Sequence, residues 1–315
     1  MISRTHIWRN RLIILLASLL ILLALMFGLL RMLLPHVTDY GDKIRSQLSK
    51  QLGVPVSIQT VDAEIWWLSP RLKLSGVNFY DPDGIRHILQ VNEILVGFDW
   101  LATIRQRQLQ LGFVAFNGAS LHIKHFADGR WQIQDEILPA PGSGPLQIPE
   151  EILSLLQDTS IYLHDIRLDW QDEQHNNQHM VIEDLNIALL NDAPNHQLSI
   201  DMELPQGYGG HVQLLVDMEG PIDQPDQWQG RLYAAVSRLQ LRPWFNDYWQ
   251  WFDFAADGQV DANVWLDWQQ LNVQQLHAVV SGERMALHYL NNNVQTWHLD
   301  QLIGNVRWQQ NKGGW

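Results

Sequence analysis

Residues 197–204 have the sequence QLSIDMEL, and residues 211–218 have the sequence HVQLLVDM. In each stretch apolar side chains recur at every second position, and polar side chains fill most places between them. Successive residues of a β-strand point to opposite faces of a sheet, so this period is typical of a strand with one apolar face. Gly207, Gly209 and Gly210 favour a turn between the stretches. The pattern predicts two neighbouring antiparallel strands.

The same period recurs over most of the chain from residue 54 onward. About 14–16 such strands can be counted, with Asp, Gly, Pro and Asn residues at the turns. Short helices are predicted at residues 38–52, 100–107 and 149–156. The predicted fold class is mainly β: a long antiparallel sheet with a few short helices. Examples of the predicted strands are residues 54–58, 72–79, 88–98, 109–113, 121–124, 131–133, 161–170, 180–189, 198–204, 212–218, 232–236, 260–266 and 278–280.

The predicted helices are too few and too short to cover the apolar face of such a sheet. Some 15 strands spaced about 4.8 Å apart would extend roughly 70 Å. Open sheets of more than about ten strands tend to curl or to split into layers. Either the sheet folds into a sandwich around a protein core, or it curls into a trough with an apolar lining. The residues by themselves leave both arrangements open.

The N-terminal part of the chain contains a long uncharged stretch. Residues 12–30 are almost all Leu, Ile, Ala, Met or Phe, and a helix of that length spans about 28 Å, near the thickness of a bilayer's hydrocarbon core. Three arginines precede the stretch, which predicts a cytoplasmic N-terminus. A signal-peptide cleavage site is not evident after it. We predict one uncleaved transmembrane helix at residues 12–34, with the anchor residues Leu12, Leu20 and Leu30.

The rest of the chain divides at a stretch rich in Pro and Gly, which is typical of a linker. The predicted organisation is a cytoplasmic N-terminus at 1–11, the transmembrane helix at 12–34, a β-rich periplasmic domain at 36–138, the linker at 139–149 and a second β-rich region at 150–315.

Charge and cysteine content narrow the class of partner. Of the 21 Lys and Arg, four precede residue 36, so 17 remain against 34 Asp and Glu. This acidic balance argues against nucleic acid and against a basic patch for acidic lipid headgroups. The chain has no cysteine, which suits a periplasmic protein that folds without disulfides.

Motifs for catalysis, phosphate binding or dinucleotide binding do not occur in the sequence. His175 and His179, with Asp172 and Glu173 beside them, could suggest a metal site, but a solvated loop between two strands is the better interpretation. We therefore predict no catalytic, cofactor-binding or metal-binding residues, no cofactor and no enzymatic activity.

The segment LRPWFNDYWQWF at residues 241–252 is rich in aromatic side chains. Pro243 suits a first helical turn, and Trp244, Tyr248 and Trp251 then fall on one stripe of the predicted helix. The helix either caps an open end of the sheet or uses these aromatic side chains as interfacial contacts with lipid or a partner.

Several short motifs occur in a definite order along the chain. They are LLPH at residues 33–36, GVPV at 53–56, WW at 66–67, LKL at 72–74, ASLHI at 119–123, DGRWQI at 128–133, LRPW at 241–244 and GNVRW at 304–308. In this order and spacing, over essentially the whole chain, the motifs resemble AsmA-like proteins, and among these the YhdP family.

The resemblance implies a bridge-like lipid transfer protein of Gram-negative bacteria. Such a protein is anchored in the inner membrane, lies mostly in the periplasm and carries phospholipids toward the outer membrane through a hydrophobic β-groove, which maintains the permeability barrier. The resemblance favours the trough and makes residues 150–315 a β-groove repeat region. It implies phospholipids and the inner membrane as partners, with other envelope proteins as further ones. The candidate lining residues are alternating apolar positions, for each of which packing in a protein core is the alternative: Ile200, Met202, Leu214, Val216, Val264 and Leu266.

The resemblance also leaves other functions open. Members of that family are several times longer than 315 residues, so we expect an N-terminal fragment of a longer bridge. The alternative function is an anchored periplasmic scaffold that assists the assembly of envelope proteins through a closed sandwich, without a lipid path. A weaker alternative, based on the 15 tryptophans, is a carbohydrate-binding or carbohydrate-hydrolysing β-protein.

Overall fold

The structure is a computed structural model that describes most of the chain after residue 40. The predicted transmembrane helix with Leu12, Leu20 and Leu30, the predicted linker and the predicted helix at 149–156 lie outside the described residues. Among the helices within the described residues, none combines the length and the apolar character needed to cross a bilayer. The described residues are 41–52, 54–66, 69–81, 83–108, 110–138, 159–175, 177–221, 224–245, 254–270, 272–289 and 295–310.

The described residues form mainly β-strands, as predicted. The helices are α1 (Gly41–Leu52), α2 (Trp100–Gln106) and the single turn α3 (Leu241–Pro243), and a 3₁₀ turn covers Pro225–Gln227. The strands are β1 (Val56–Ser57), β2 (Thr60–Trp66), β3 (Ser69–Tyr80), β4 (His87–Phe98), β5 (Leu111–His125), β6 (Trp131–Ile133), β7 (Glu136–Leu138), β8 (Ser160–Asp172), β9 (Gln178–Asp192), β10 (Asn195–Glu203), β11 (His211–Glu219), β12 (Gln229–Gln240), β13 (Phe254–Gln269), β14 (Asn272–Tyr289) and β15 (Gln295–Gln309).

All of these strands belong to one 15-stranded sheet. Its order is β1-β3-β4-β5-β8-β9-β10-β11-β12-β13-β14-β15, while β2 pairs with β3 and the β6–β7 hairpin pairs with β5. From β8 to β15 each strand pairs with the next strand in the chain, as sequential hairpins predict. Since three strands lie off the main path, the sheet is about 50 Å wide, less than the roughly 70 Å expected from a single row.

The prediction of a wholly antiparallel sheet is wrong at one position. Strands β5 and β8 run parallel, with register pairs from Phe113 beside Ser160 to His125 beside Asp172. A parallel pair needs a connection of about a dozen residues or more, and the chain between these two strands is long enough to supply it. This parallel seam joins the strands before the predicted linker to those after it.

Helix α1 covers the apolar side of the first strands. Ile44 and Leu48, one helical turn apart in this predicted helix, pack against a buried cluster that includes Val77, Val91 and Ile166. Beside this contact, the Ser49 hydroxyl accepts a hydrogen bond from the backbone N–H of Val56 at 3.0 Å. The predicted helix near residue 100 is also confirmed, and the carboxylate of Asp99 caps it by accepting from the N–H of Ala102 at 2.9 Å.

A two-layer sandwich is not what the described strands form. They make a single hydrogen-bonded sheet rather than two stacked ones. Among the described residues, buried clusters cover only part of the sheet, and the larger one lies around Val77, Val91, Ile166, Ile182 and Leu185. The remaining strands carry an apolar side that stays partly exposed. What contacts this side is a question about the function of the protein.

Candidate functional site

An unbroken row of apolar side chains crosses the sheet from β2 to β15. Each member lies beside the next one on the neighbouring strand, and the row passes through the parallel seam without a break. Its members are Val61, Leu74, Ile94, Phe116, Leu163, Ile187, Ile200, Leu214, Ala234, Val264, Ala278 and Val306.

A second row runs beside the first, two residues away along each strand. Its members are Val96, Val114, Ile161, Leu189, Leu198, Val216, Leu232, Leu266, Leu276 and Trp308. We call the side of the sheet that carries both rows the apolar face and the opposite side the outer face. Because a slip of one residue would move a strand's apolar residues to the other side, the register of every pair maintains this face.

All six candidate lining residues lie on the apolar face. Ile200, Leu214 and Val264 belong to the first row, and Val216 and Leu266 belong to the second. Met202 follows Ile200 by two positions in β10 and lies beside Val212 of β11. The structure therefore brings these residues together on one continuous surface, and their contact with lipid stays a prediction.

Exposure divides the apolar face into a closed and an open part. Over the early strands Val77 and Val91 are fully buried, and Ile166 is 1% exposed. Over β10–β15 most residues of the two rows are only half-buried. At the last strand Val306 is 56% exposed and Trp308 is 39% exposed. The open part is thus an apolar surface that reaches the edge of the sheet.

The open part is covered by described residues only at one end. There Leu241 of α3 packs in a second buried cluster with Ala256, Val260 and Met285, and Phe245 packs against it. The central residues of β10–β14, such as Leu214 and Val264, lie outside this cluster. Such an extended, partly exposed apolar surface is typical of a binding site.

The aromatic segment that begins at α3 makes contacts within the protein. The indole N–H of Trp244 donates to the backbone carbonyl of Tyr208 at 3.0 Å, and the two rings meet edge-on at 5.9 Å. These contacts favour the interpretation of the segment as a cap over the end of the sheet. Tyr248 and Trp251, the other two predicted interfacial residues, lie outside the described residues.

An ion pair fixes α3 to the sheet below it. Arg242 donates to both carboxylate oxygens of Asp257 on β13, and the second of these hydrogen bonds measures 2.8 Å. The Nε2 atom of His288 on β14 lies 3.1 Å from the same carboxylate. The hydrogen bond from Arg242, followed by that from His288, lowers the pKa of Asp257 to about 2.

This lowered pKa gives a stability that depends on pH. Because the folded-state pKa lies below the ordinary value of 3.8, the carboxylate stabilises the fold above that value and loses its effect as the pH falls toward 2. We expect Asp257→Asn to lower the free energy of unfolding by about 1 kcal/mol at pH 7, given the exposed arginine. Urea denaturation of the wild type and of Asp257→Asn should show this difference in the free energy of unfolding at pH 7. Near pH 2 the difference should disappear.

Asp267→Asn is the matched control for this experiment. Asp267 also lies on β13, but its partner Arg231 is 3.8 Å away and 82% exposed, so the variant should unfold like the wild type at both pH values. If both variants lost the same free energy of unfolding, the ion pair between Arg242 and Asp257 would make no specific contribution to stability.

The interpretation of residues 171–179 as a solvated loop needs correction. Asp172 is 2% exposed, and its carboxylate faces His175 and also His125, which is distant in the sequence. His179 instead pairs with Asp169 at 2.9 Å. Spacing along the chain suggested His175 and His179 as partners, whereas the pairing of β5 with β8 selects His125. No pattern in the single sequence could have revealed that contact.

Comparison with known proteins decides the family. The family model described as YhdP protein matches residues 1–315. The chain belongs to the YhdP family. Neither a curated protein nor a solved structure matches it. The identification as AsmA-like that the motifs suggested is thereby confirmed, and YhdP is a family of envelope proteins. In this member of the YhdP family, most residues of the two apolar rows over β10–β15 stay only half-buried.

Proposed function

We propose that this protein conducts phospholipids along the apolar face of its sheet, between the inner and the outer membrane. The observation that carries the proposal is the apolar row that continues in register from Val61 to Val306. Acyl chains would lie against this row and headgroups would stay in solvent. The protein would perform no covalent chemistry, so it would be a carrier surface and not an enzyme.

The energetics of burial support an acyl chain as the occupant. Each CH₂ group that leaves water gains about 0.8 kcal/mol, so a free acyl chain in water is very costly. Half-buried side chains such as Leu214 and Val264 offer an apolar surface without a fixed polar contact. Hydrogen bonds that would hold a ligand at one point are absent from such a surface, which suits a ligand that must slide.

The curvature of the sheet belongs to the same proposal. Sheets of more than about ten strands tend to curl because of their twist. Curling toward the apolar face would turn the open part over β10–β15 into a trough. The predicted membrane helix at residues 12–34 would hold one end of the protein at the inner membrane, with the bulk of the chain in the periplasm.

Site-specific photocrosslinking in cells tests this proposal. A photoreactive residue at position 200, on the apolar face, is expected to form adducts with phospholipid. The same residue at position 199, on the outer face beside Leu215, is the matched control and should give none. Mass spectrometry of the purified adducts would identify the lipid. Equal labelling at both positions, or labelling of protein alone at position 200, would contradict the conduit.

A scaffold for envelope proteins is the second candidate, favoured by a different observation. On the outer face Leu215, Tyr233 and Trp265 lie beside one another on successive strands. Leu215 is 41% exposed and Trp265 is 42% exposed, and aromatic side chains are enriched at protein interfaces. Protein adducts that form only at the outer-face position would support this function.

A further inference from the structure

The carboxyl ends of the two parallel strands bring three ligating side chains together. His125 is the last residue of β5 and Asp172 is the last residue of β8, and the two form the final register pair of the seam. His175 lies in the turn that follows β8. One nitrogen of each imidazole and one oxygen of the carboxylate lie within 4.8 Å of one another.

The carboxylate at the centre of this group is buried and held in one orientation. The Nδ1 atoms of His125 and His175 lie 3.2 Å and 2.8 Å from the two oxygens of Asp172. The backbone N–H groups of Gln174 and His175 donate to the Oδ1 atom at 3.0 Å and 3.3 Å. Since a buried carboxylate needs positive charge or donors beside it, a cation bound between the three side chains would replace the two imidazole contacts without leaving the carboxylate unsatisfied.

We propose that His125, Asp172 and His175 bind a divalent transition-metal ion, for which Zn²⁺ is the best fit. Two imidazole nitrogens and one carboxylate oxygen form a common set of three zinc ligands. Bonds of about 2.0–2.1 Å in a tetrahedral arrangement hold ligand atoms about 3.3 Å apart, close to the distance between His125 and Asp172. The Nδ1 atom of His175 lies 2.8 Å from the other oxygen, Oδ2, so the His175 ring would have to shift to place this nitrogen about 3.3 Å from the ligating oxygen.

The surroundings also suit a metal site. The ring of Trp131 stacks on His125, with centroids 4.2 Å apart and planes inclined by 15°. The backbone carbonyl of His125 accepts from the N–H of Glu173 at 2.8 Å, which ties the two strand ends together. Such contacts orient metal ligands and raise affinity. The side chain of His175 is 35% exposed, so water can reach the fourth position of the metal.

The site would act as a clamp on the parallel seam. It would link the last residue of β5, before the predicted linker, with the last residue of β8 and the turn beyond it. This role is independent of lipid conduction, because the metal would bind at the end of the seam and not along the open part of the apolar face. If the metal test fails, the proposed lipid conduction is therefore unaffected. If the test of lipid conduction fails, the proposed metal site is likewise unaffected.

Titration with Zn²⁺ alone tests the site. The full chain, without a histidine tag, would be purified in detergent, stripped with a chelator and titrated by calorimetry. We expect one Zn²⁺ per chain, and His175→Ala should weaken binding by about 100-fold or more, since even loss of a supporting contact costs 10–100-fold. His179→Ala is the matched control, because His179 lies in the same segment but pairs with Asp169, and it should bind like the wild type.

Co²⁺ provides a second measurement that does not depend on affinity alone. Bound in a tetrahedral site, Co²⁺ should give visible absorption bands in the wild type and in His179→Ala but not in His175→Ala. Circular dichroism would verify that the variants keep the fold. Absence of stoichiometric Zn²⁺ in the wild type, or equal binding in both histidine variants, would overturn the proposal and leave a hydrogen-bonded His–Asp–His group.

Discussion

Leu214→Asp is expected to reduce phospholipid transfer by the protein at least about tenfold while the protein remains folded. Leu214 lies in the first apolar row between Ile200 and Ala234. A carboxylate there would have to lose water whenever an acyl chain passed, and a cost of only about 1.4 kcal/mol slows a step tenfold. Because Leu214 is only half-buried, the change in the free energy of unfolding should be about 1 kcal/mol or less.

The next residue in the chain provides the control for this experiment. Leu215 has the same side chain but lies on the outer face and is 41% exposed. Leu215→Asp should therefore leave transfer unchanged. Transfer of a fluorescent phospholipid between donor and acceptor vesicles would measure both variants, and urea denaturation would measure their stability. If Leu214→Asp instead unfolds the protein, the residue belongs to a closed core and the conduit over β11 is refuted.

Ile166→Ala is expected to have the largest effect on stability, about 3 kcal/mol. Ile166 lies on β8 beside Leu185, at 1% exposure, within the buried cluster under α1. Truncation of a buried isoleucine removes its transfer free energy and leaves a cavity, which together cost 2–5 kcal/mol. Urea denaturation followed by tryptophan fluorescence should show the unfolding midpoint at a lower urea concentration.

Ile303→Ala is the matched control for Ile166→Ala. Ile303 is 73% exposed on β15, so its truncation should change the free energy of unfolding by less than about 0.5 kcal/mol. The milder Ile166→Val should cost about 1 kcal/mol. Similar values for the two alanine variants would mean that Ile166 does not lie in a closed core.

Most of the strands were predictable because their signal is local. In β10 and β11 the alternation of apolar and polar residues predicts both the strands and their apolar side, and the glycines predict the turn. The six candidate lining residues consequently fall on one face, since sequential antiparallel strands with matching alternation align their apolar residues. The four-residue spacing of Ile44 and Leu48 on α1 is a local signal of the same kind.

The parallel seam was not predictable from the same signals. The alternation in β5 and β8 is equally compatible with parallel and antiparallel pairing, since both pleats expose alternate residues. The only hint is the long chain between the two strands, of which residues 139–149 are predicted to be a linker between domains. The group of His125, Asp172 and His175 depends on that seam, so the sequence by itself does not bring His125 together with Asp172 and His175.

By itself the sequence determined that this protein is a one-sided sheet of many strands with few helices, and which side chains share a side. Local alternation is enough for this, because the pleat of a strand depends only on neighbouring residues. The tertiary structure alone decided which strands meet across the seam and which part of the apolar face is buried. Both depend on contacts between residues far apart in the chain, such as the packing of Ile44 against the buried cluster around Val77, and a local pattern carries no information about them.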